Sequence, residues 1–343
     1  MSSKESNFLN FNKLFRALEI RLPKFKGPWK FTKTPHGQSN PTFILKGSNG
    51  VLVVRCKPKG VLLKSAHMIE REFKVMNALY NSKVPVPKMY YLCEDPEEIG
   101  TPYYVMEFIE GKAYLDPSLP KFSAESRASL YDQMNLGLAN LHSVKIKSIG
   151  LDDFGKSGSY FARQLSIWGR QYELSKTEDI FEVDSLYDWL NNNLPLDAMA
   201  DNLVHGDWRI DNLLFGNEDL SLSAVLDWEI STIGDGRADL ANQLMQWAMP
   251  VGMEGRGLEG INRKEFGIPE DLEYIEKYTI RTGLSNLPDL RFPLAFCFFR
   301  MSAILQGVKK RALDGNASNP EMAIKVGKMI PEYSRRALTH LAL

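Results

Sequence analysis

The sequence predicts an α+β protein of two lobes, a strand-rich first part and a larger, mainly helical second part. Three observations carry that expectation. The chain of 343 residues is long for one minimal core, so two packed bodies are the natural arrangement. Its first hundred residues hold short apolar runs, Thr42 to Leu45 and Val51 to Arg55, around the turn cluster Gly47-Ser-Asn-Gly50. From about Ser123 apolar residues recur at helical spacing instead, over Ala124 to His142, Tyr160 to Leu174 and Ser185 to Leu190.

The remaining elements follow in order. A short helix is expected around Phe11 to Ile20, ahead of the hairpin made by the two apolar runs. Another starts near Ser65, which can serve as N-cap, with Ile69, Phe73, Met76 and Tyr80 as its buried stripe. Val84-Pro-Val-Pro87 stops regular structure, and Tyr103 to Ile109 is strand-like again. Gly111 and the stretch Pro117 to Pro120 mark a boundary, so the expected lobes are residues 1–109 and 110–343. Inside the second lobe, Leu213 to Phe215 and Ser223 to Leu226 flank Gly216-Asn-Glu-Asp219 as a second hairpin.

Charge and cysteine usage exclude some functions. Lys+Arg and Asp+Glu are 42 each, so the basic excess that phosphate neutralisation demands of a nucleic-acid binder is missing. Cys56, Cys93 and Cys297 offer no C-x-x-C pair and no disulfide framework, which suits a reducing compartment. The start is polar and lacks a leader's basic-then-apolar layout, and the longest apolar stretch, Phe292 to Phe299, is too short to span a bilayer. A cytoplasmic protein with neither nucleic-acid nor membrane partner is expected.

The chemistry-bearing stretch is His205-Gly-Asp-Trp-Arg-Ile-Asp-Asn212, then the hairpin, then Asp227-Trp-Glu229. Strands pairing about a turn near Glu218 would return Asp227 to the side of Asn212. Two oxygen ligands there make a half-site for Mg²⁺, which keeps its other positions for phosphate and water. Asp207 lies on the loop just before, placed to accept the proton of an attacking hydroxyl. Phosphoryl transfer asks mainly for such positioning and charge neutralisation. The competing reading makes these residues ordinary caps and turns. Glu72 falls in the packed sector of its helix, and a buried carboxylate needs a partner. Tyr160, Arg163, Gln164, Trp168 and Tyr172 share one helix face, either a core stripe or one wall of an acceptor pocket. Arg163 fits a pure core poorly, so it and Arg209 are candidates for gripping an anionic substrate group.

This pattern resembles the aminoglycoside phosphotransferase and choline kinase superfamily. Gly37-Gln-Ser-Asn40, Ser65-Ala-His67, Arg71-Glu72, Arg163-Gln164 and Asp227 to Gly234 are similar to one subgroup, found alone in bacteria and ahead of acyl-CoA dehydrogenase in family members 10 and 11. The resemblance implies a bilobal protein-kinase-like fold with ATP in the cleft. It implies Asp207 as base, Asn212 and Asp227 as magnesium ligands, Asp239 as a buttress of the loop and His205 as structural. It also implies a phosphate loop at Gly37, Gln38, Ser39 and Asn40, and Arg55 in place of the usual ATP-binding lysine, paired with Glu72. Backbone groups of Glu107 and Ile109 would read adenine. The implied acceptor is a small hydroxylated molecule such as a hydroxyacyl-CoA. The alternative on the same fold is a catalytically inactive nucleotide sensor or interaction module.

Overall fold

A computed structural model describes residues 9–34, 40–59, 68–195, 201–252, 256–317 and 319–342. The chain divides into two compact units. The first is Met1–Gly111 with Ser223–Ser231, and the second is Lys112–Leu222 with Thr232–Leu343.

The first unit holds α1 (Phe11–Arg21), β1 (Lys30–Lys33), β2 (Thr42–Lys46), β3 (Val51–Cys56), α2 (Ile69–Leu79), β4 (Met89–Cys93) and β5 (Tyr103–Glu107). The five strands form one antiparallel sheet in the order β1-β2-β3-β5-β4. Side chains alternate along β3. Leu52, Val54 and Cys56 join Leu14 and Leu18 of α1 in one buried cluster, which leaves Val53 and Arg55 on the opposite face. Arg55 stands opposite Tyr104 in the register, and both side chains meet Glu72 of α2 there. Glu72 is 1% exposed, as its place on the helical wheel requires. The expected N-cap Ser65 lies outside the described residues.

The second unit begins with α3 (Ala124–His142), α4 (Tyr160–Ser175) and α5 (Phe181–Asn192), followed by β6 (Asp201–Val204) and β7 (Leu213–Phe215). Next come β8 (Leu222–Val225), whose last three residues belong to the first unit, and β9 (Thr232–Asp235). Six helices finish the chain: α6 (Arg237–Trp247), α7 (Arg263–Phe266), α8 (Asp271–Thr282), α9 (Arg291–Leu313), α10 (Pro320–Gly327) and α11 (Ile330–Ala342). Ser123 caps α3 by accepting the Ser126 N–H. Helix α9 is apolar nearly all round and is accordingly central, packed against α4, α6 and α11. The turn after β7 is closed by the Gly216 N–H donating to the Ser221 carbonyl.

The sequence reading missed β6 and β9. They pair antiparallel, Asp201 opposite Asp235 and Val204 opposite Thr232. Four residues each, with a glycine and aspartates among them, give no run of alternating apolar positions to read. Among the described residues no helix is long and apolar enough to cross a membrane.

Strand β9 packs closely on α4. A Cβ added at Gly234 would stand 2.2 Å from Tyr160 Cδ2, against a buried ring. Gly234→Ala is therefore expected to cost about 1–3 kcal/mol of stability, read as a lower urea midpoint. An unchanged midpoint would contradict this packing.

Candidate active site

The loop after β6 is shaped by one carboxylate. Gly206 takes φ +88°, a left-handed conformation that glycine adopts without strain. This turns two successive N–H groups inward. His205 N–H donates to Asp239 Oδ2 at 2.7 Å and Gly206 N–H donates to Asp239 Oδ1 at 2.7 Å. His142 Nε2 lies 3.2 Å from Oδ2, while its Nδ1 meets the Tyr278 hydroxyl at 2.7 Å. Asp239 has no solvent exposure and sits in the first turn of α6, where the helix dipole favours an anion. Burial pushes its pKa up, yet His142 and the loop's positive partners outweigh that and hold it below the usual carboxylate range.

Asp207 and Asn212 are fixed to each other by this loop. Asn212 Nδ2 donates to the Asp207 carbonyl at 2.9 Å and to its Oδ2 at 3.0 Å. The Asp207 N–H in turn donates to His205 Nδ1 at 3.2 Å, which gives His205 a structural contact. Arg209 Nε stands 3.0 Å from Asp207 Oδ1. Burial again pushes the carboxyl up, but Arg209, Arg300 and the Asn212 hydrogen bond prevail, and Asp207 stays ionised at neutral pH. With its N–H groups turned to Asp207, Asn212 presents its carbonyl oxygen as the atom suited to a hard cation.

The first unit carries its own chain of charges. Arg55 Nε is 2.9 Å from Glu72 Oε2, and Arg55 Nη2 is 2.7 Å from Asp227 Oδ1. Tyr104 donates its hydroxyl to Glu72 Oε2 at 2.9 Å, and Asn40 Nδ2 donates to Oε1 at 2.7 Å. Desolvation pushes Glu72 up to about 7, against the pull of Arg55. Asp227 adopts φ +64°, a left-handed backbone uncommon for a residue with a side chain, and its side chain is 33% exposed. Buried Trp228 supports that turn, its Nε1 donating to the Val225 carbonyl and its own carbonyl accepting from Ser231 Oγ.

The other expected residues are placed as follows. Gly37, Gln38 and Ser39 lie outside the described residues, and Asn40 is fully buried against Glu72. Glu107 ends β5 and accepts the Lys88 N–H, with Ile109 just beyond the strand. Arg163 donates to the carbonyls of Lys156 and Ser157, so its guanidinium pins the loop before α4. Tyr160 and Tyr172 are core residues, and Trp168 packs against that core. Among the contributors that were missed is Arg300. Buried Arg300 of α9 donates from Nη2 to Asn242 Oδ1 at 2.7 Å, and Asn242 Nδ2 donates to the Trp208 carbonyl of the loop at 3.4 Å. The signal for it was an arginine ending the apolar run Phe292 to Phe299.

Comparison with known proteins agrees with this architecture. Residues 30–269 match the family described as phosphotransferase enzyme family, APH. The chain belongs to that phosphotransferase family. It is 44% identical over 294 residues to mouse acyl-CoA dehydrogenase family member 10, covering 85% of this chain and 27% of that protein. It is 40% identical over 320 residues to rat family member 11, covering 90% of this chain and 40% of that protein. The chain thus spans well under half the length of these relatives. Among solved structures, a Ralstonia eutropha JMP134 protein classed with the aminoglycoside phosphotransferases superposes with TM-score 0.88 at 40% identity, covering 97% and 98% of the two chains. The phosphotransferase APH(4)-Ia, solved with ADP and hygromycin B, shares the fold at TM-score 0.63 and 14% identity, covering 96% and 98%.

In this phosphotransferase the Asp239 carboxylate is expected to carry stability as well as shape. Asp239→Ala strands two buried N–H groups and should cost about 3 kcal/mol or more in denaturant titrations. Its lowered pKa gives the sign with pH. The stabilisation is complete above the unfolded value of about 4 and fades as pH falls through the folded value. Asp239→Asn should flatten that acid limb. An acid limb identical to wild type would refute the assignment.

Proposed function

We propose that the chain is an ATP- and Mg²⁺-dependent small-molecule kinase that transfers the γ-phosphoryl group of ATP to an acceptor hydroxyl. The observation that carries this reading is the Asp207–Asn212 arrangement. An ionised carboxylate is held rigidly to a neutral oxygen ligand on a loop clamped by Asp239. Asp207 accepts the proton of the attacking hydroxyl. Asn212 and Asp227 supply the hard oxygen atoms for Mg²⁺, which when bound neutralises charge on the phosphate oxygens. The left-handed backbone at Asp227 and its ion pair to Arg55 support that role, because strain of this kind is kept where a side chain has to be aimed.

In this reading residues 1–109 bind the nucleotide and 110–343 carry catalysis and the acceptor. Arg55 serves the phosphates while tied to Glu72 and Asp227. Gly37, Gln38 and Ser39 form the phosphate loop, with Asn40 anchoring it to Glu72. The backbone at Glu107 and Ile109 takes the adenine. Arg163, Trp168 and Arg209 remain the candidates on the acceptor side. The relatives named as acyl-CoA dehydrogenase family members 10 and 11 support a hydroxyacyl-CoA as acceptor.

Asp207→Asn is expected to lower turnover at least about a hundredfold, since positioned proton transfer contributes that order. ATP binding should persist. The assay is ADP and phosphoacyl formation from ATP-Mg²⁺ and a 4-hydroxyacyl-CoA, and wild-type rates no better than the variant's would sink the kinase reading. Asp227→Ala should abolish Mg²⁺-dependent nucleotide binding with an unaltered circular dichroism spectrum. Unchanged calorimetric affinity for ATP-Mg²⁺ would remove Asp227 from the metal site.

A further inference from the structure

A base that has to take a proton stands in an ion pair. Arg209 Nε lies 3.0 Å from Asp207 Oδ1, and Arg209 Nη2 lies 3.3 Å from Asp211 Oδ2. Arg256 Nη1 meets that same Asp211 oxygen at 3.2 Å. Two guanidiniums therefore share one carboxylate oxygen, while Asp211 Oδ1 is buried without a hydrogen-bond partner among the described residues. Arg256 reaches this place from a left-handed backbone, φ +48°, held by its N–H to the Gly252 carbonyl at 2.8 Å. Such a conformation is uncommon for a residue with a side chain, and it aims the guanidinium at the catalytic loop. Arg300 adds a third positive charge, buried and, among the described residues, with no hydrogen-bond partner for Nε. Among the described residues, these three cations stand with the carboxylates of Asp207 and Asp211, and Asp239 lies on the same loop. The Arg209, Arg256 and Asp207 side chains are 20%, 36% and 28% exposed, with Arg209 Nε itself buried, so a solute would meet the outer part of the guanidiniums.

We propose that Arg209 and Arg256 form a subsite for an oxyanion carried by the phosphoryl acceptor, and that filling it draws Arg209 off Asp207. This rests on Asp207 being the base. Planar guanidiniums suit carboxylate and phosphate oxygens, and Arg209 and Arg256 already converge on one carboxylate oxygen, that of Asp211. Once the oxyanion engages the Arg209 guanidinium and draws it off Asp207, Asp207 Oδ1 is released to accept the hydroxyl proton. The anion then selects the substrate and frees the base in one event. A hydroxy acid brings a carboxylate, its CoA thioester brings phosphates, and its N-acetylcysteamine thioester brings neither.

Two independent readouts test this. The first is equilibrium binding of 4-hydroxybutyrate and of inorganic phosphate to the nucleotide-free full chain, followed by NMR. Arg209→Gln and Arg256→Gln should each weaken whichever anion binds by about tenfold or more, with partial recovery in Arg256→Lys. Equal affinity in wild type and both glutamine variants overturns the subsite. The second is kcat/KM for 4-hydroxybutyrate, 4-hydroxybutyryl-CoA and 4-hydroxybutyryl-N-acetylcysteamine. Wild type should favour an anionic acceptor over the uncharged thioester by about tenfold or more, and Arg256→Gln should erase that preference. Whichever anionic acceptor is favoured identifies the source of the oxyanion. Equal use of the uncharged thioester by wild type also overturns the proposal. Anion binding that is lost in the variants, with no acceptor turned over at all, sustains the anion subsite and removes the kinase reading instead.

Discussion

A buried carboxylate with all its demands met is what the loop of the second unit depends on. Asp239 has no contact with solvent, and leaving such a charge unpartnered would cost several kcal/mol. The compensation comes from the backbone of His205 and Gly206 and from His142, so the loop has to adopt the one course that presents those donors. Only after that turn does Asp207 follow at its fixed place, and Asn212 is bonded to Asp207 at two points. The helix that delivers Asp239 begins two residues after β9, which is itself paired to the strand that ends just before His205. Chemistry and scaffold therefore meet at one side chain.

The two units tune their carboxylates in opposite directions with the same kind of cation. Glu72 faces one guanidinium and two further anions, Asp227 and Glu229, and desolvation lifts it to about 7. Asp207 feels Arg209 and Arg300 together and stays below the normal range despite burial. The difference follows from counting charges near each group, not from depth alone. It also suits the proposed division of labour, in which Glu72 orients Arg55 and Asp207 would be the anion that takes a proton.

Much of this was legible in the sequence where the signal was local. Helix α3 and strand β7 fall on the expected residues, and the wheel position of Glu72 anticipated a buried partner, which is Arg55 at 2.9 Å. The resemblance supplied Asp239, since nothing in its immediate sequence marks a buried acid. What stayed hidden was assembled across long separations. β6 and β9 are too short to declare themselves, and Arg300 reaches the loop only because α9 packs against α6. Arg256 and Asp211 are 45 residues apart, joined by a backbone conformation that no local pattern announces. Arg163 shows how little a poor fit to a core says by itself. An arginine on a core-facing stripe can satisfy itself on nearby loop carbonyls, so a poor fit to the core is weak grounds for a substrate contact.

Magnitudes decide whether the ion pair on Asp207 is an obstacle. Arg209 and Asp207 each keep part of the side chain in solvent, so their pair is worth less than one sealed from water. A charge-assisted hydrogen bond to an incoming group is worth about 1.5–3 kcal/mol, so exchange of partners at Arg209 is within reach of one good contact. The pair to Glu72 differs in kind. Both of its members are nearly sealed from solvent, and breaking such a pair costs about 3–5 kcal/mol. Arg55 is therefore a fixed strut and Arg209 an exchangeable one. That difference follows from burial, with the same residue type and nearly the same distance at each site.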